Sequence, residues 1–156
     1  MLTREKWESA PFADVVDRAI VPYCGTSADR FKISGPDIRI SARMALAFAM
    51  TLHELCTNAV KYGALSNDKG MVLISWSVSG RKKTNPRLTF RWSEKGGPAV
   101  TPPTTRGFGT KLIERSLASD LGGTVKITFA SKGVTCVITT ILDHASEHQY
   151  DSPSDK

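Results

Sequence analysis

The chain has 156 residues, 40% of them apolar, and a formal net charge of +6 from 21 basic and 15 acidic side chains. A chain of this length buries roughly 70% of its unfolded surface, which predicts one globular domain over residues 1–145 and a polar, disordered tail over residues 146–156. No apolar run reaches the roughly 18 residues that span a membrane, and the charged N-terminus is unlike a signal peptide, so a cytoplasmic domain without membrane contact is predicted.

The basic charge favours polyanionic partners, and the phosphates of a nucleotide meet this preference as well as nucleic acid does. The basic residues do not form a stripe with interleaved aromatic residues, and the run Arg81 to Lys83 is typical of a solvated hairpin loop. No nucleic-acid partner is therefore predicted. Cys56 lies in a helical pattern and Cys136 in a strand pattern, which indicates buried thiols and not a disulfide framework.

The first half of the chain predicts two helices and two short strands. Apolar spacing indicates a helix over residues 12–21, and alternating residues indicate strands at 31–33 and 38–40 on either side of a tight turn. From Ser41, a suitable N-cap, apolar periodicity continues to Tyr62, and Gly63 is placed to end this long helix.

The second half is predicted to be mainly strands. Residues 71–79 and 88–93 alternate and predict an antiparallel pair, and a Pro- and Gly-rich lid follows over about residues 97–106. An amphipathic helix at residues 110–121 and strands at 124–129 and 134–142 complete the domain. The predicted fold class is α+β, a two-layer sandwich with about three helices on one face of a mixed, mostly antiparallel sheet.

The long helix carries a row of polar side chains opposite its apolar stripe. Glu54, Asn58 and Lys61 lie within about 60° of each other on a helical wheel. A carboxylate can orient a hydroxyl or a water, a carboxamide oxygen can bind Mg²⁺, and an ammonium group can bind phosphate. The alternative is a solvated helix face, because this spacing arises by chance on any amphipathic helix.

The preceding part of the helix favours the functional interpretation. Residues from Met44 to Met50 are apolar all round and are expected to be buried. The polar row then emerges at the rim of a core, where binding sites are commonly built.

Two glycine segments have features of a nucleotide site. Gly96 and Gly97 follow a strand and Glu94, whereas Arg106-Gly-Phe-Gly-Thr110 leads into a helix whose free N–H groups suit an anion. The alternative for the second segment is an ordinary loop, since Gly-x-Gly is common in turns. The Glu94 carboxylate could accept a hydrogen bond from an exocyclic amine such as that of adenine, and the Thr135 hydroxyl could help to read the same base.

Together these motifs resemble the catalytic, ATP-binding domain of sensor histidine kinases, within the ATPase superfamily that includes gyrase, Hsp90 and MutL. HELCTNAVKYGAL resembles the N box, SEKGG the first glycine box and RGFGTKLI the second. The HWE subfamily matches most specifically, through His53 in the N box and Trp92-Ser-Glu94 in the first glycine box. The resemblance covers about residues 3–142 and implies a Bergerat-type ATP-binding fold.

The resemblance implies ATP and Mg²⁺ as cofactors and assigns roles along the chain. Asn58 would bind Mg²⁺, Glu54 would assist phosphoryl transfer, and Lys61 would touch phosphate. Glu94 would contact the adenine amine beside Gly96, with Thr135 near the base. Gly107 and Gly109 would border the triphosphate, and the cofactor-binding residues of this segment would be Arg106, Gly107, Phe108, Gly109 and Thr110.

The chain departs from the family pattern in two ways. The usual Asp-x-Gly-x-Gly is Glu94-Lys-Gly-Gly-Pro98 here, and the lid is short. No helix with a phosphoacceptor histidine precedes the domain. The sequence therefore predicts a fragment of a longer kinase, or a domain acting on another chain. In either case its partners are a histidine-containing dimerisation domain and, downstream, a response regulator.

Two other functions stay open from the residues alone. One is an interaction module of the same superfamily that keeps the nucleotide pocket without kinase activity. The other is a nucleic-acid-linked ATPase, against which the Trp92-x-Glu94 pair favours a kinase.

His53 begins a His-Glu pair that imitates a phosphoacceptor site. That interpretation is rejected, because the helix continues only about ten residues beyond His53, and because its early part is apolar all round and expected to be buried. A structural histidine that orients a neighbour, and a residue with catalytic or nucleotide contact, are the two remaining alternatives.

Overall fold

The computed structural model describes residues 9–24, 30–80, 86–99, 123–130 and 132–142. Its elements in chain order are β1 (Ser9–Pro11), α1 (Phe12–Cys24), β2 (Phe31–Ser34), β3 (Arg39–Ser41), α2 (Ala42–Tyr62), a 3₁₀ turn (Ala64–Ser66), β4 (Met71–Ser79), β5 (Arg87–Lys95), β6 (Thr124–Ala130) and β7 (Gly133–Ile141). The two-layer α+β architecture is confirmed, with two helices in the described ranges. The third predicted helix, most of the lid, the basic run at 81–83 and the tail lie outside them.

Helix α1 is amphipathic and packs on α2. Phe12, Val16 and Ile20 recur every four residues and are buried, because this spacing puts them on one face of a helix. The backbone N–H of Phe12 donates to the carbonyl of Ile38, 2.9 Å away, which ties the start of the helix to the segment before β3.

Helix α2 begins and ends where the sequence predicts. The Oγ of Ser41 accepts a hydrogen bond from the N–H of Met44 at 3.2 Å, which satisfies one of the free donors of the first turn. At the other end the N–H of Gly63 donates to the carbonyl of Ala59 at 3.0 Å. The apolar stripe faces the core as predicted and consists of Phe48, Leu52, Leu55, Cys56 and Ala59.

The expectation that residues 44–50 are buried all round is wrong. Met44 and Phe48 are buried, but Leu46 is 64% exposed and Met50 is 49% exposed. The reason is geometric, since α2 packs on the sheet and on α1, and these neighbours cover only two of its sides.

The main sheet has five strands in the order β2-β4-β5-β7-β6. The predicted antiparallel pair is confirmed, because β4 and β5 align over nine residues from Met71 opposite Lys95 to Ser79 opposite Arg87. The strands β5, β7 and β6 continue the antiparallel order, whereas β2 pairs with β4 in parallel. Strand β5 is therefore the central strand.

The two short strands around residues 35–37 exist but do not form a hairpin. Strand β2 joins β4 in the main sheet, and β3 pairs with β1 in a separate two-stranded sheet. Residue alternation predicts a strand but not its partner, and here each partner lies about 30 to 40 residues away in sequence.

The core lies between the helices and the sheet, with Phe12 at its centre. Its ring makes edge-to-face contacts with Phe48, Trp76 and Phe90 at centroid distances of 5.0, 4.8 and 6.1 Å.

Neither α1 nor α2 is long and apolar enough to cross a membrane.

Candidate nucleotide site

The polar row of α2 lies on the side of the helix away from the core. Glu54 and Asn58 are half-buried and Lys61 is exposed. Residues of the opposite stripe, such as Leu55 and Ala59, are buried. Within the described part of the chain, no hydrogen bond or ion pair engages the three polar side chains.

Glu94 lies near the end of β5 with its carboxylate held between two N–H donors. Its Oε1 accepts from the backbone N–H of Ala64 at 3.0 Å, and its Oε2 accepts from the Nε1–H of Trp92 at 2.8 Å. The side chain is 5% exposed. Because Ala64 directly follows Gly63 and α2, the first hydrogen bond joins the acid of the sheet to the end of the helix that carries the polar row.

The surroundings of Glu94 raise its pKa above the usual 4.5. Burial is the largest cause, since removal from water disfavours the charged carboxylate. The hydrogen bonds from Ala64 and Trp92 favour the charged form and offset part of this effect. A buried carboxylate with donors on both oxygens retains one free lone pair on each oxygen for a further donor.

Gly63 leaves the space that the Glu94 carboxylate occupies. A Cβ at position 63 would lie 3.3 Å from Cδ of Glu94 and would overlap its Oε1. Gly63 has φ −117°, a value open to any residue, so close approach and not backbone conformation is what requires glycine here.

The loop after α2 is braced by Arg30. Its guanidinium group donates to three backbone carbonyls, those of Gly70 at 2.9 Å, Ala64 at 2.9 Å and Asn67 at 2.6 Å. The Asn67 side chain accepts from the N–H of Lys69 and of Gly70. This loop therefore holds Ala64, the donor to Glu94, in a defined position.

The first glycine segment packs directly against the same loop. Gly96 has φ +76°, which favours glycine, and its carbonyl accepts a hydrogen bond from Asn67 Nδ2 at 3.3 Å. A Cβ at Gly97 would lie 2.6 Å from the Cα of Ala64. The structure thus brings together Glu94, Gly96 and the end of the N-box helix.

His53 lies on the side of α2 that faces α1. Its Nδ1 is hydrogen-bonded to the Tyr23 hydroxyl at 2.6 Å, and that hydroxyl lies 3.5 Å from the Oγ1 of Thr57. The imidazole is exposed and lines a groove between the two helices. Its described contacts are those of a structural histidine joining α1 to α2.

Thr135 is not brought to the Glu94 carboxylate. It pairs with Ser93 on β5, and paired residues in adjacent strands share a face of the sheet. Ser93 and Thr135 therefore face away from the helices, whereas Glu94 and Trp92 face toward them.

The second glycine segment, with Arg106, Gly107, Phe108, Gly109 and Thr110, lies outside the described residues. Sequence reasoning missed Arg30, Asn67 and Tyr23 as supports of the site, because the contacts of Arg30 and Tyr23, and that of Asn67 with Gly96, join residues distant in the sequence. The Trp92 contact had a local signal, since residues two apart in a strand share a face.

Comparisons with known proteins agree with the motifs. The chain is 39% identical over 155 residues to a blue-light-activated histidine kinase of Brucella anthropi, covering 99% of this chain and 31% of that protein. It therefore spans about a third of the length of this relative. No model of a known protein family matches the chain.

Solved structures share the fold at lower sequence identity. The nucleotide-free catalytic domain of histidine kinase ThkA aligns with a TM-score of 0.65 at 14% identity, covering 86% of this chain and 94% of that one. A histidine kinase domain from the Erythrobacter litoralis EL346 blue-light activated histidine kinase aligns with a TM-score of 0.61 at 18% identity, covering 88% and 68%. The chain is therefore similar to a histidine kinase over nearly its whole length, as the motifs predicted, and has the fold of histidine kinase catalytic domains.

Proposed function

We propose that this chain binds ATP with Mg²⁺ and transfers the γ-phosphoryl group to a histidine on a dimerisation domain. The acceptor would lie elsewhere in the same full-length protein or on another chain, and a response regulator would receive the phosphoryl group next. The observation that supports the proposal most is the buried Glu94 carboxylate, fixed at the end of the helix that carries Glu54, Asn58 and Lys61.

The chemistry of Glu94 suits an adenine base. An ionised carboxylate only accepts hydrogen bonds, and the adenine amine is a donor. The donors from Ala64 and Trp92 hold the carboxylate in place, so little side-chain entropy would be lost when the base binds. Guanine presents an oxygen at the same position and would place two acceptors face to face.

The polar row of α2 suits the phosphates and the metal ion. The described residues contain no cluster of three or more His, Cys, Asp or Glu side chains that would hold a metal alone. Mg²⁺ is commonly held by one or two protein oxygens together with substrate phosphates, which fits the single Asn58 carboxamide. The bound ion would neutralise charge on the transferred group.

The other two residues of the row would act on charge and position. Lys61 would place a positive charge near phosphate, and Glu54 would orient the attacking imidazole or accept its proton. Such a site works mainly by positioning and by charge neutralisation, which together account for most catalysis of phosphoryl transfer. The domain would act in the cytoplasm, where ATP is available.

The first experiment is a titration with a non-hydrolysable ATP analogue, with and without Mg²⁺. Wild type is compared with Asn58→Ala and with the control Thr57→Ala, the adjacent residue that turns toward α1. We expect Mg²⁺ to increase affinity about tenfold or more in wild type and in the control, and to have little effect in Asn58→Ala. Equal affinity in all combinations would contradict the proposed site.

The second experiment separates a kinase from an interaction module. A histidine-containing dimerisation domain is added to the chain with radiolabelled ATP, and label on the acceptor histidine is followed over time. Transfer that is lost in Asn58→Ala supports the kinase. Nucleotide binding without transfer would support a module that keeps the pocket and lacks kinase activity.

A further inference from the structure

The side of the main sheet that faces away from α1 and α2, called here the outward face, carries five basic residues. Cross-strand register aligns Arg91 with Ser75 and Val137, and Val137 with Lys126, so these side chains share one face. The buried side chains of the same strands, such as Trp76 and Phe90, point to the helices. The basic residues of the outward face are all exposed: Lys32, Arg87, Arg91, Lys95 and Lys126.

No carboxylate balances this charge within the described strands. The acidic residue of these strands is Glu94, which points to the helices. The other positions of the outward face are largely hydroxyl-bearing and include Ser75, Ser77, Thr89, Ser93 and Thr139. The outward face is therefore a cationic and hydroxyl-rich surface.

Protection of sheet edges accounts for only two of these five cations. Lysine on an edge strand prevents unwanted pairing between sheets, which explains Lys32 on β2 and Lys126 on β6. Arg87, Arg91 and Lys95, however, lie on β5, the central strand, where no edge needs protection.

Cross-strand charge pairing does not account for them either. Opposite charges across a strand pair contribute roughly 0.2–1 kcal/mol of stability. Here Arg91 lies opposite Ser75 and Val137, and Lys95 lies opposite Met71, so no such pair forms.

Three of the cations surround a shallow depression in the outward face. The depression has a volume of about 410 Å³, and its lining includes Lys32, Arg91 and Lys95 together with Leu73, Ser75 and Ser93. Long cationic side chains around short hydroxyl groups make a site that a protruding carboxylate can enter, with charge-assisted hydrogen bonds from the rim.

The composition of the face selects among anionic partners. The described strands place no aromatic side chain on it, and binding of single-stranded nucleic acid relies on stacking of bases on aromatic rings. Half-buried apolar residues, Leu73 and Val137, lie among the cations, and Ile141 is 43% exposed. Apolar, hydroxyl and cationic groups in a two-dimensional array match a folded protein surface better than a linear phosphate chain.

We propose that the outward face docks an acidic protein surface, with one of its carboxylates in the depression between Lys32, Arg91 and Lys95. The contact lies across the sheet from Glu94 and α2, so it does not depend on the proposed nucleotide function. Complementary charge of this kind mainly raises the rate of association and fixes the orientation of the partner. The attraction weakens as the salt concentration increases.

The test uses the whole chain and a fluorescent poly-L-glutamate peptide, with binding followed by anisotropy. The variant Lys32→Gln/Arg91→Gln is compared with Arg18→Gln/Arg43→Gln, which removes two exposed cations from the helices and gives the same net charge. We expect affinity for the peptide to fall about fivefold or more in the first variant and less than about twofold in the second. An alternating Glu-Lys peptide of equal length should bind neither wild type nor either of the two variants.

Equal weakening in both variants would overturn the proposal, because it would show an effect of net charge alone. Tighter binding of wild type to duplex DNA or to phosphatidylserine vesicles, lost in the first variant, would also overturn it in favour of a nucleic acid or a membrane. Unchanged circular dichroism verifies folding. If the double variant fails to fold, Lys32→Gln on the edge strand replaces it, with Arg18→Gln as its control.

Discussion

At the scale of single residues, the site depends on how Glu94 is held. Two donors fix its carboxylate, one from the same strand and one from the loop after α2. The Trp92 indole is fully buried and lies on the same face of β5 as Glu94. Its N–H therefore holds in place the carboxylate that is proposed to bind the base.

Trp92→Phe tests the indole donor, because it keeps an aromatic ring and removes the N–H. Leaving a buried charged acceptor short of a donor should lower the free energy of unfolding by about 1–3 kcal/mol. Affinity for the ATP analogue should also fall, by roughly tenfold. The control is Trp76→Phe, since the Trp76 Nε1–H donates to the Pro36 carbonyl, away from the site. Equal losses of affinity in both variants would contradict the role of Trp92.

Glu94→Gln tests the raised pKa of Glu94 through its pH dependence. An acid with a raised folded pKa contributes stability that is present below the unfolded pKa and is lost as pH rises through the folded pKa. The stability of wild type relative to Glu94→Gln should therefore fall as pH rises above 4.5, as measured by urea denaturation.

The affinity for nucleotide should rise with pH over the same pH range in which the stability of wild type falls. Protonation of Glu94 at low pH replaces one acceptor with a donor, so wild-type affinity for the ATP analogue should weaken as pH falls. Glu94→Gln should lack this change. Parallel pH profiles for the two proteins would show that Glu94 does not titrate in contact with the base.

At the scale of elements, the site is a junction between α2 and β5. Gly63 ends the helix and also leaves room for Glu94, so one residue sets the distance between the two elements. Arg30, just before β2, braces the loop that completes the junction.

Gly63→Ala tests the close approach between the elements. The added methyl group overlaps the Glu94 carboxylate, so we expect the free energy of unfolding to fall by about 1–3 kcal/mol. We expect the affinity for nucleotide to fall as well. Adding Glu94→Asp shortens the acid by one methylene group and should restore part of both losses. A double-mutant cycle should give a coupling energy of about 0.5–3 kcal/mol, whereas simple additivity would show that the two positions do not compete for space.

Arg30→Gln tests the brace on the loop. Three backbone carbonyls lose a charged donor, so we expect a loss of about 1–3 kcal/mol in the free energy of unfolding. Hydrogen exchange should become faster at the amides of Ala64 and Gly70, which donate to Glu94 and Asn67. Arg39→Gln, an exposed arginine that contacts Ser9, is the control. Unchanged exchange at Ala64 would show that the loop holds its shape without Arg30.

The elements of this junction were largely predictable from sequence, but their contacts were not. Local rules identify Ser41 as the N-cap of α2 and Gly63 as its end, because capping depends on neighbouring residues. The hydrogen bond between Glu94 and Ala64 spans 30 residues, and the parallel pairing of β2 with β4 spans a similar distance. Such contacts depend on the packing of the whole chain, which residue periodicity does not encode.

At the scale of the whole molecule, the sheet separates two surfaces of different character. The helix side holds the aromatic core and the candidate nucleotide site, whereas the outward face is cationic. The net charge of +6 was visible in the composition, but the placement of five basic side chains on the outward face follows from strand register, which the sequence alone did not supply. The exposure of Leu46 and Met50 was likewise not predictable from sequence, since it depends on which elements surround α2.

Phe12→Ala tests whether the two layers unfold as one unit. Phe12 is fully buried and its ring contacts Phe48 on α2 as well as Trp76 on β4 and Phe90 on β5, so its removal leaves a cavity where helices and sheet meet. Loss of a buried phenylalanine ring costs about 3–5 kcal/mol, a large part of the 5–15 kcal/mol typical of a domain. Urea denaturation followed by circular dichroism and by tryptophan fluorescence should give coincident transitions at lower urea, whereas Val21→Ala, at a residue 64% exposed, should change little. Separate transitions for the two probes would show that the layers unfold independently.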